Sequence, residues 1–151
     1  MASHQTHGWM ELRRLNKEIR SLYQKAAEQA GLAESEFEIL RTVWELGDGC
    51  SQSDICRCTF LKKQTVHSAV HKLERECLLT PNERRGRAIP LSLTAKGRHL
   101  AEGIVAPIIT MENEAFMQFS VAEQTCLLQI NRKYMVYLHE QISTIKEAQI
   151  M

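Results

Sequence analysis

The sequence predicts a mainly α-helical fold carrying one small β-hairpin. Three observations point there. Apolar residues recur at helical spacing over most of the chain, a short helix, tight turn and second helix follow one another between residues 51 and 76, and two brief extended runs flank a turn rich in arginine.

The elements can be read in order. From residue 9 to 30, Leu12, Leu15, Ile19, Leu22, Tyr23 and Ala26 mark one face of an amphipathic helix that Gly31 ends. A second helix opens at Glu34 or Ser35, with Phe37, Leu40, Val43, Trp44 and Leu46 on its buried face, and Gly47-Asp48-Gly49 stops it. Ser51-Gln52-Ser53-Asp54 sets a hydroxyl three residues before a carboxylate, a capping box that starts a short helix ending near Cys58. Thr59 and Phe60 supply the turn, and a helix over 62–76 turns Val66, Ala69, Val70 and Leu73 inward.

Leu78-Leu79-Thr80 then leads out and Ile89-Pro90-Leu91-Ser92-Leu93 leads back, with Pro81, Asn82 and Gly86 as turn residues between them. Pro90 has no N–H to give a ladder and belongs at an edge or bulge. Thr94 is the N-cap of a long helix reaching about residue 119, which Pro107 should bend. Ser120-Val121-Ala122-Glu123 is a second capping box, opening a last helix to about residue 146. On that helix Leu128, Met135 and Ile142 repeat every seven residues, as do Asn131, Leu138 and Ile145. The stripe suits a partner helix, and packing within the same chain fits it equally.

Composition narrows the class. The 151 residues are 44% hydrophobic and 25% charged, ordinary for a soluble globular protein. No stretch approaches the roughly 18 apolar residues of a membrane span, and residues 1–9 are polar, so a cytoplasmic location is expected. The five cysteines are an odd number without framework spacing, and the expectation is free thiols, mostly buried. No Gly-rich phosphate loop, nucleophile elbow or His-Glu-x-x-His run occurs, so neither an enzyme nor a cofactor is expected.

The net charge of +1 hides an asymmetry. Residues 54–98 hold ten basic side chains against four acidic ones, so the remainder of the chain is acidic. A basic middle in an acidic frame points to a polyanion partner, with a solvated charged face as the alternative.

Helix, turn, helix and Arg-rich hairpin together describe a winged helix-turn-helix. The second helix of such a pair lies in the major groove of duplex DNA. Outside on it remain Lys63, Gln64, His67, Ser68, His71 and Lys72, donors and acceptors within a fence of lysines. Gln64 suits bidentate pairing with adenine, and Ser68 can donate or accept. Lys62 and Lys63 stand at the positive end of the helix dipole, disfavoured by roughly 0.3–1 kcal/mol unless an anion such as phosphate binds there. Arg84, Arg85 and Arg87 at the hairpin tip suit a minor groove or phosphates.

Over residues 12–145 the chain resembles the MarR family of bacterial transcription regulators. The resemblance rests on Gly31-Leu32, Phe37-Glu38-Ile39-Leu40, Ser51-Gln52-Ser53-Asp54-Ile55-Cys56, Lys63-Gln64-Thr65-Val66-His67-Ser68-Ala69-Val70-His71-Lys72-Leu73-Glu74, Leu91-Ser92-Leu93-Thr94-Ala95-Lys96-Gly97 and Ser120-Val121-Ala122-Glu123, in that order and spacing. It implies a homodimer whose N- and C-terminal helices (residues 1–30 and 100–151) intertwine, with residues 31–99 as the DNA-binding lobe. The dimer would bind a pseudo-palindromic operator and repress or activate transcription, repression being the expected sign, tuned by a small ligand, a metal or thiol oxidation. Carried over, base contacts fall to Lys63, Gln64, Thr65, His67 and Ser68, wing contacts to Arg84, Arg85 and Arg87, and phosphate contacts to Ser51 and Ser53.

Three residues depart from the pattern. The family's wing commonly reads Asp-x-Arg, where the Asp braces the loop; here it is Arg85-Gly86-Arg87. Cys77 stands where Gly often follows the recognition helix, at a cost of roughly 1 kcal/mol if the left-handed cap is kept. Phe60 occupies a turn that usually holds small or polar residues, either packing inward or altering the approach to DNA.

Three other readings compete with this one. His67 and His71 have metal-ligand spacing with Cys56 and Cys58 nearby, but Cys-x-Cys is not the usual zinc spacing and no metal is expected. Thiol-based redox sensing would fall to Cys50, Cys56 or Cys58. The first predicted helix has no cysteine, unlike the peroxide-sensing branch of the family. A winged-helix adaptor that binds only proteins is the remaining alternative.

Overall fold

The computed structural model describes residues 7–148, with side chains from 7 to 145; the outermost parts of the expected pairing regions, residues 1–6 and 149–151, lie outside the described residues. The element order is α1 (His7–Gln29), α2 (Glu34–Leu46), α3 (Gln52–Thr59), α4 (Lys63–Arg75), β1 (Leu79–Pro81), β2 (Leu91–Leu93), α5 (Ala95–Leu100), a π-helical turn (Ala101–Val105), α6 (Ala106–Met117) and α7 (Val121–Ala148). The chain forms two compact units, residues 1–107 and 108–151. The mainly α fold with a two-stranded hairpin is the one the sequence predicts.

In the first unit, α2 and α4 are packed around a shared apolar interior. Ile39, Leu40, Val43, Ile55, Val66, Val70, Leu73 and Leu91 are almost completely buried, each such side chain stabilising by about 1.5–3 kcal/mol. Leu46, expected on the buried face of α2, is exposed instead, because it lies in the last turn before Gly47 ends the helix. Ile39, not singled out in the periodicity, takes a core position.

Two helices of this unit end in the same way. At α1, the Leu32 N–H donates to Ala27 O and the Gly31 N–H to Glu28 O; at α4, Leu78 N–H donates to Leu73 O and Cys77 N–H to Glu74 O. These are Schellman caps, closed by a left-handed residue: Gly31 at φ +69° in one, Cys77 at φ +58° in the other. Buried Leu73 and Leu78 give the second cap its apolar contact.

The hairpin is antiparallel, pairing Leu79 with Leu93, Thr80 with Ser92 and Pro81 with Leu91. The strands are shorter and shifted relative to expectation: Leu78 belongs to the α4 cap, and Ile89 and Pro90 precede β2. Pro90 uses its carbonyl alone, accepting from Asn82 N–H at 2.7 Å. On its other edge Leu91 exchanges hydrogen bonds with the segment before α3, from Leu91 N–H to Cys50 O and from Gly49 N–H to Leu91 O, both 2.8 Å. Thr94 caps α5 by accepting from the Gly97 N–H at 2.9 Å, and any side chain at Gly97 would run into the Leu78 carbonyl.

The helix after Thr94 is not simply bent at Pro107. The irregularity takes the form of the π-helical turn just before it, in which Ala106 N–H reaches Ala101 O. Pro107 has no N–H to give the Gly103 carbonyl four residues back, so regular α-helical bonding fails at this point.

Two apolar faces remain bare. On α1, Leu12, Leu15, Ile19 and Leu22 are exposed, so the amphipathic stripe read from the sequence is a helix face without cover in the single chain. On α7, in the second unit, Leu128, Met135, Leu138, Ile142 and Ile145 are exposed as well. The Ser120 capping box is present at its start: Ser120 N–H donates to Glu123 Oε2 at 2.8 Å, and Glu123 N–H to Ser120 Oγ at 3.3 Å. No described helix is long and apolar enough to cross a membrane.

Candidate nucleic-acid interface

The recognition-helix candidate, α4, presents two unlike sides. Val66, Ala69, Val70 and Leu73 are buried, which leaves Lys63, Gln64, Thr65, His67, Ser68 and His71 exposed to solvent. The separation follows from 3.6-residue periodicity, since residues three and four apart share a face.

Placement of α4 begins one helix earlier. Ser51 caps α3 by accepting from Asp54 N–H at 3.2 Å, while Asp54 Oδ2 accepts from both the Ser51 N–H and hydroxyl at 2.8 Å. The backbone and hydroxyl donors of Ser51, with Arg57 beyond, hold the Asp54 carboxyl below its ordinary value. Ser51 is therefore half-buried with its hydroxyl proton committed to Asp54, whereas Ser53 is exposed.

Phe60 then reverses the chain in the left-handed region at φ +56°. Its ring does not pack inward: Phe60 is 92% exposed. Lys62 follows in extended conformation as the N-cap of α4, with no side-chain cap for the helix N–H groups.

Lys72 differs from its neighbours on the expected contact stripe. Its ammonium donates to Glu36 Oε1 at 2.7 Å, and that hydrogen bond raises the Lys72 pKa above its ordinary value. Glu36 is buried on α2 and also accepts from the Ala33 N–H at 3.0 Å. Sequence reasoning passed over Glu36; its only signal was a carboxylate in the first turn of a helix. Arg57 likewise pairs with Asp54, and Arg98 with Asp48 at 3.0 Å. By contrast, Lys62, Lys63, Arg84, Arg85 and Arg87 are exposed and form no ion pair among the described residues.

The wing tip has a brace of its own in place of the family's Asp. Arg85 and Ala88 exchange backbone hydrogen bonds, Arg85 N–H to Ala88 O at 2.9 Å and Ala88 N–H to Arg85 O at 3.1 Å. Between them Gly86 takes φ +62°, the positive value that a II′ hairpin turn needs at its first central position. Lower down, Asn82 Nδ2 donates to Ser92 Oγ at 2.6 Å.

The cysteines are all free, but the expectation that most are buried fails: only Cys50 is buried, Cys56 is half-buried, and Cys58, Cys77 and Cys126 are exposed. Cys58 and Cys77 sit at helix ends, where solvent access comes with the position. Burial pushes the Cys50 thiol up from its ordinary value, helped by the Asp54 charge, which disfavours a reactive thiolate there.

Comparison with known proteins accords with this geometry. The family model described as MarR family matches residues 30–88. No curated protein matches the sequence. Among solved structures, a MarR family regulator from Neisseria meningitidis is similar at 24% identity and a TM-score of 0.71, over 94% of this chain and 99% of that one. BpsR of Bordetella bronchiseptica, described by the regulation of its DNA binding by 6-hydroxynicotinic acid, is 25% identical with a TM-score of 0.63, over 89% and 96%. MepR of S. aureus, solved as a complex with DNA, is 22% identical with a TM-score of 0.66, over 89% and 98%. Residues 30–88 thus match the MarR family model, and the fold is similar to that of MarR family winged helix-turn-helix regulators of known structure.

Proposed function

We propose that this protein is a transcription regulator that binds double-stranded DNA sequence-specifically as a homodimer, acting as a repressor at a pseudo-palindromic operator. The observation that carries the reading is the division of α4, with an apolar side locked into the core and Lys63, Gln64, Thr65, His67 and Ser68 facing solvent. Such a helix presents base-reading groups at the depth of the major groove. The unpaired Lys62 and Lys63 at its start, and Arg84, Arg85 and Arg87 on the wing, supply phosphate and minor-groove contacts. Ser53 contacts phosphate directly; Ser51 does so through its place at the α3 N-terminus. His71 and Lys72 lie at the far end of the same stripe, where Lys72 acts chiefly by holding α4 to α2.

Support for the dimer comes from the bare stripes on α1 and α7. Exposed apolar faces of this extent mark surfaces that are covered in the working assembly. In this reading residues 1–30 and 100–151 pair two chains, and residues 31–99 carry the DNA-binding lobe. By analogy with the Bordetella relative, a small effector changes the separation of the two lobes, so that both half-sites are no longer met together.

Selection of bound duplexes from a random library, combined with light scattering, tests the reading. The expected result is a solution mass twice the 17.3 kDa of the chain and an enriched inverted repeat with half-site centres roughly 34–36 Å apart. A monomer that enriches no sequence would overturn it.

A further inference from the structure

His67 and His71 lie one turn apart on the exposed side of α4, their rings edge to face with centroids 4.3 Å apart. The two Nε2 atoms approach to 3.2 Å. Each ring's other nitrogen faces an oxygen: His71 Nδ1 lies 3.1 Å from Glu74 Oε2, and His67 Nδ1 lies 3.4 Å from Gln52 Oε1. An ionised carboxylate has no proton to give, so His71 carries its hydrogen on Nδ1. The Gln52 carbonyl oxygen asks the same of His67. With both Nδ1 atoms so engaged, the two Nε2 atoms face each other as acceptors 3.2 Å apart.

We propose that His67 and His71 form a two-nitrogen chelate for a divalent transition-metal ion of the class that favours imidazole: nickel, copper or zinc. The spacing fits. Two nitrogens about 2.0–2.1 Å from one ion stand about 2.9 Å apart at a right angle and about 3.4 Å apart at a tetrahedral angle. The Glu74 and Gln52 oxygens play the part that outer acceptors play around metal-bound histidine, fixing tautomer and ring orientation. The groove formed by His67, Ser68, His71, Glu74 and Arg75 opens to solvent. Among the described residues no group of three or more His, Cys, Asp or Glu side chains gathers to hold an ion. Water therefore fills the remaining positions, and the ion exchanges freely. This sets the site apart from a structural zinc centre, whose four ligands all come from protein.

A consequence rests on the proposed function. The ion would stand among the residues assigned to base reading, so metal occupancy and duplex docking exclude each other. The site itself does not depend on that assignment.

The test is equilibrium dialysis of the untagged full chain against Ni²⁺, with NMR of the histidine rings. Expected is one Ni²⁺ per chain, paramagnetic broadening of the His67 and His71 rings before those of His99 and His139, and affinity lowered at least tenfold in His67→Gln or His71→Gln. Both residues are exposed, and circular dichroism checks that each variant keeps its helices. Absence of binding, or binding unchanged in the double variant, would overturn the proposal. A second arm adds a selected duplex. Displacement of Ni²⁺ supports the exclusion, whereas simultaneous binding of both would contradict the docking face and leave the chelate standing.

Discussion

Lys72 Nζ lies 2.7 Å from Glu36 Oε1, joining α4 to α2 across 36 residues of sequence. The carboxylate is buried and serves two donors, the other being the Ala33 N–H at the start of α2. One side chain thus caps α2 and ties α4 to it.

Glu36→Ala should therefore lower stability by about 1 kcal/mol through the lost cap alone, with a further decrease from the freed lysine. Lys72→Met should lower the melting temperature and leave the α2 cap in place. Thermal unfolding followed by circular dichroism checks both; an unchanged Glu36→Ala protein would show that the pair is incidental.

Cys77 and Phe60 are the only described non-glycine residues with positive φ, and each ends a helix of the helix-turn-helix pair. A left-handed residue with a Cβ costs roughly 1–2 kcal/mol, part of which glycine returns through the greater freedom of its unfolded chain. Cys77→Gly and Phe60→Gly should each raise stability by about 0.5–1 kcal/mol in urea titrations. A loss of stability in Cys77→Gly would mean that the thiol makes contacts worth more than the backbone strain.

Acid should loosen the helix starts selectively. The Asp54 and Glu123 carboxyls are held below their ordinary values, first by the backbone N–H and then by the hydroxyl of Ser51 and Ser120 respectively. A depressed carboxyl contributes stability that is complete above its unfolded value, near pH 4, and is lost as pH falls through the lower folded value. The wild type should thus lose its advantage over Asp54→Asn as pH falls below about 4. A stability gap independent of pH from 7 to 2 would rule out the capping carboxylate as its source.

Much of the fold was legible because its determinants are local. Val66, Ala69, Val70 and Leu73 fall at helical spacing, and the Ser51–Asp54 and Ser120–Glu123 boxes each join residues three apart. The Thr94 cap was readable for the same reason. The Glu36–Lys72 pair was not, since no spacing rule links residues on different helices. On α1 the Leu12, Leu15, Ile19 and Leu22 stripe was plain as a pattern, but amphipathicity says only that a face wants cover, not which molecule provides it. The π-helical turn escaped because Pro107 announces a disruption without specifying its form. On the wing, the missing Asp said nothing of a replacement brace, which the backbone pairing of Arg85 with Ala88 supplies.

Base preference should follow Gln64. Replacing it with alanine should cost about 1–3 kcal/mol at one operator position and relax the preference there, leaving other positions as they were. Competition binding with single-position operator variants reads this directly. An unaltered preference profile would mean that another face of α4 meets the bases.

The central claim, that exposed cations around α4 and the wing bind the phosphates of a duplex, is tested most directly by the salt dependence of operator affinity. For the wild type, log K should fall linearly with log salt concentration, and Arg87→Ala should bind every sequence more weakly with a slope shallower by about one. An affinity indifferent to salt, or a slope that Arg87→Ala leaves unchanged, would contradict it.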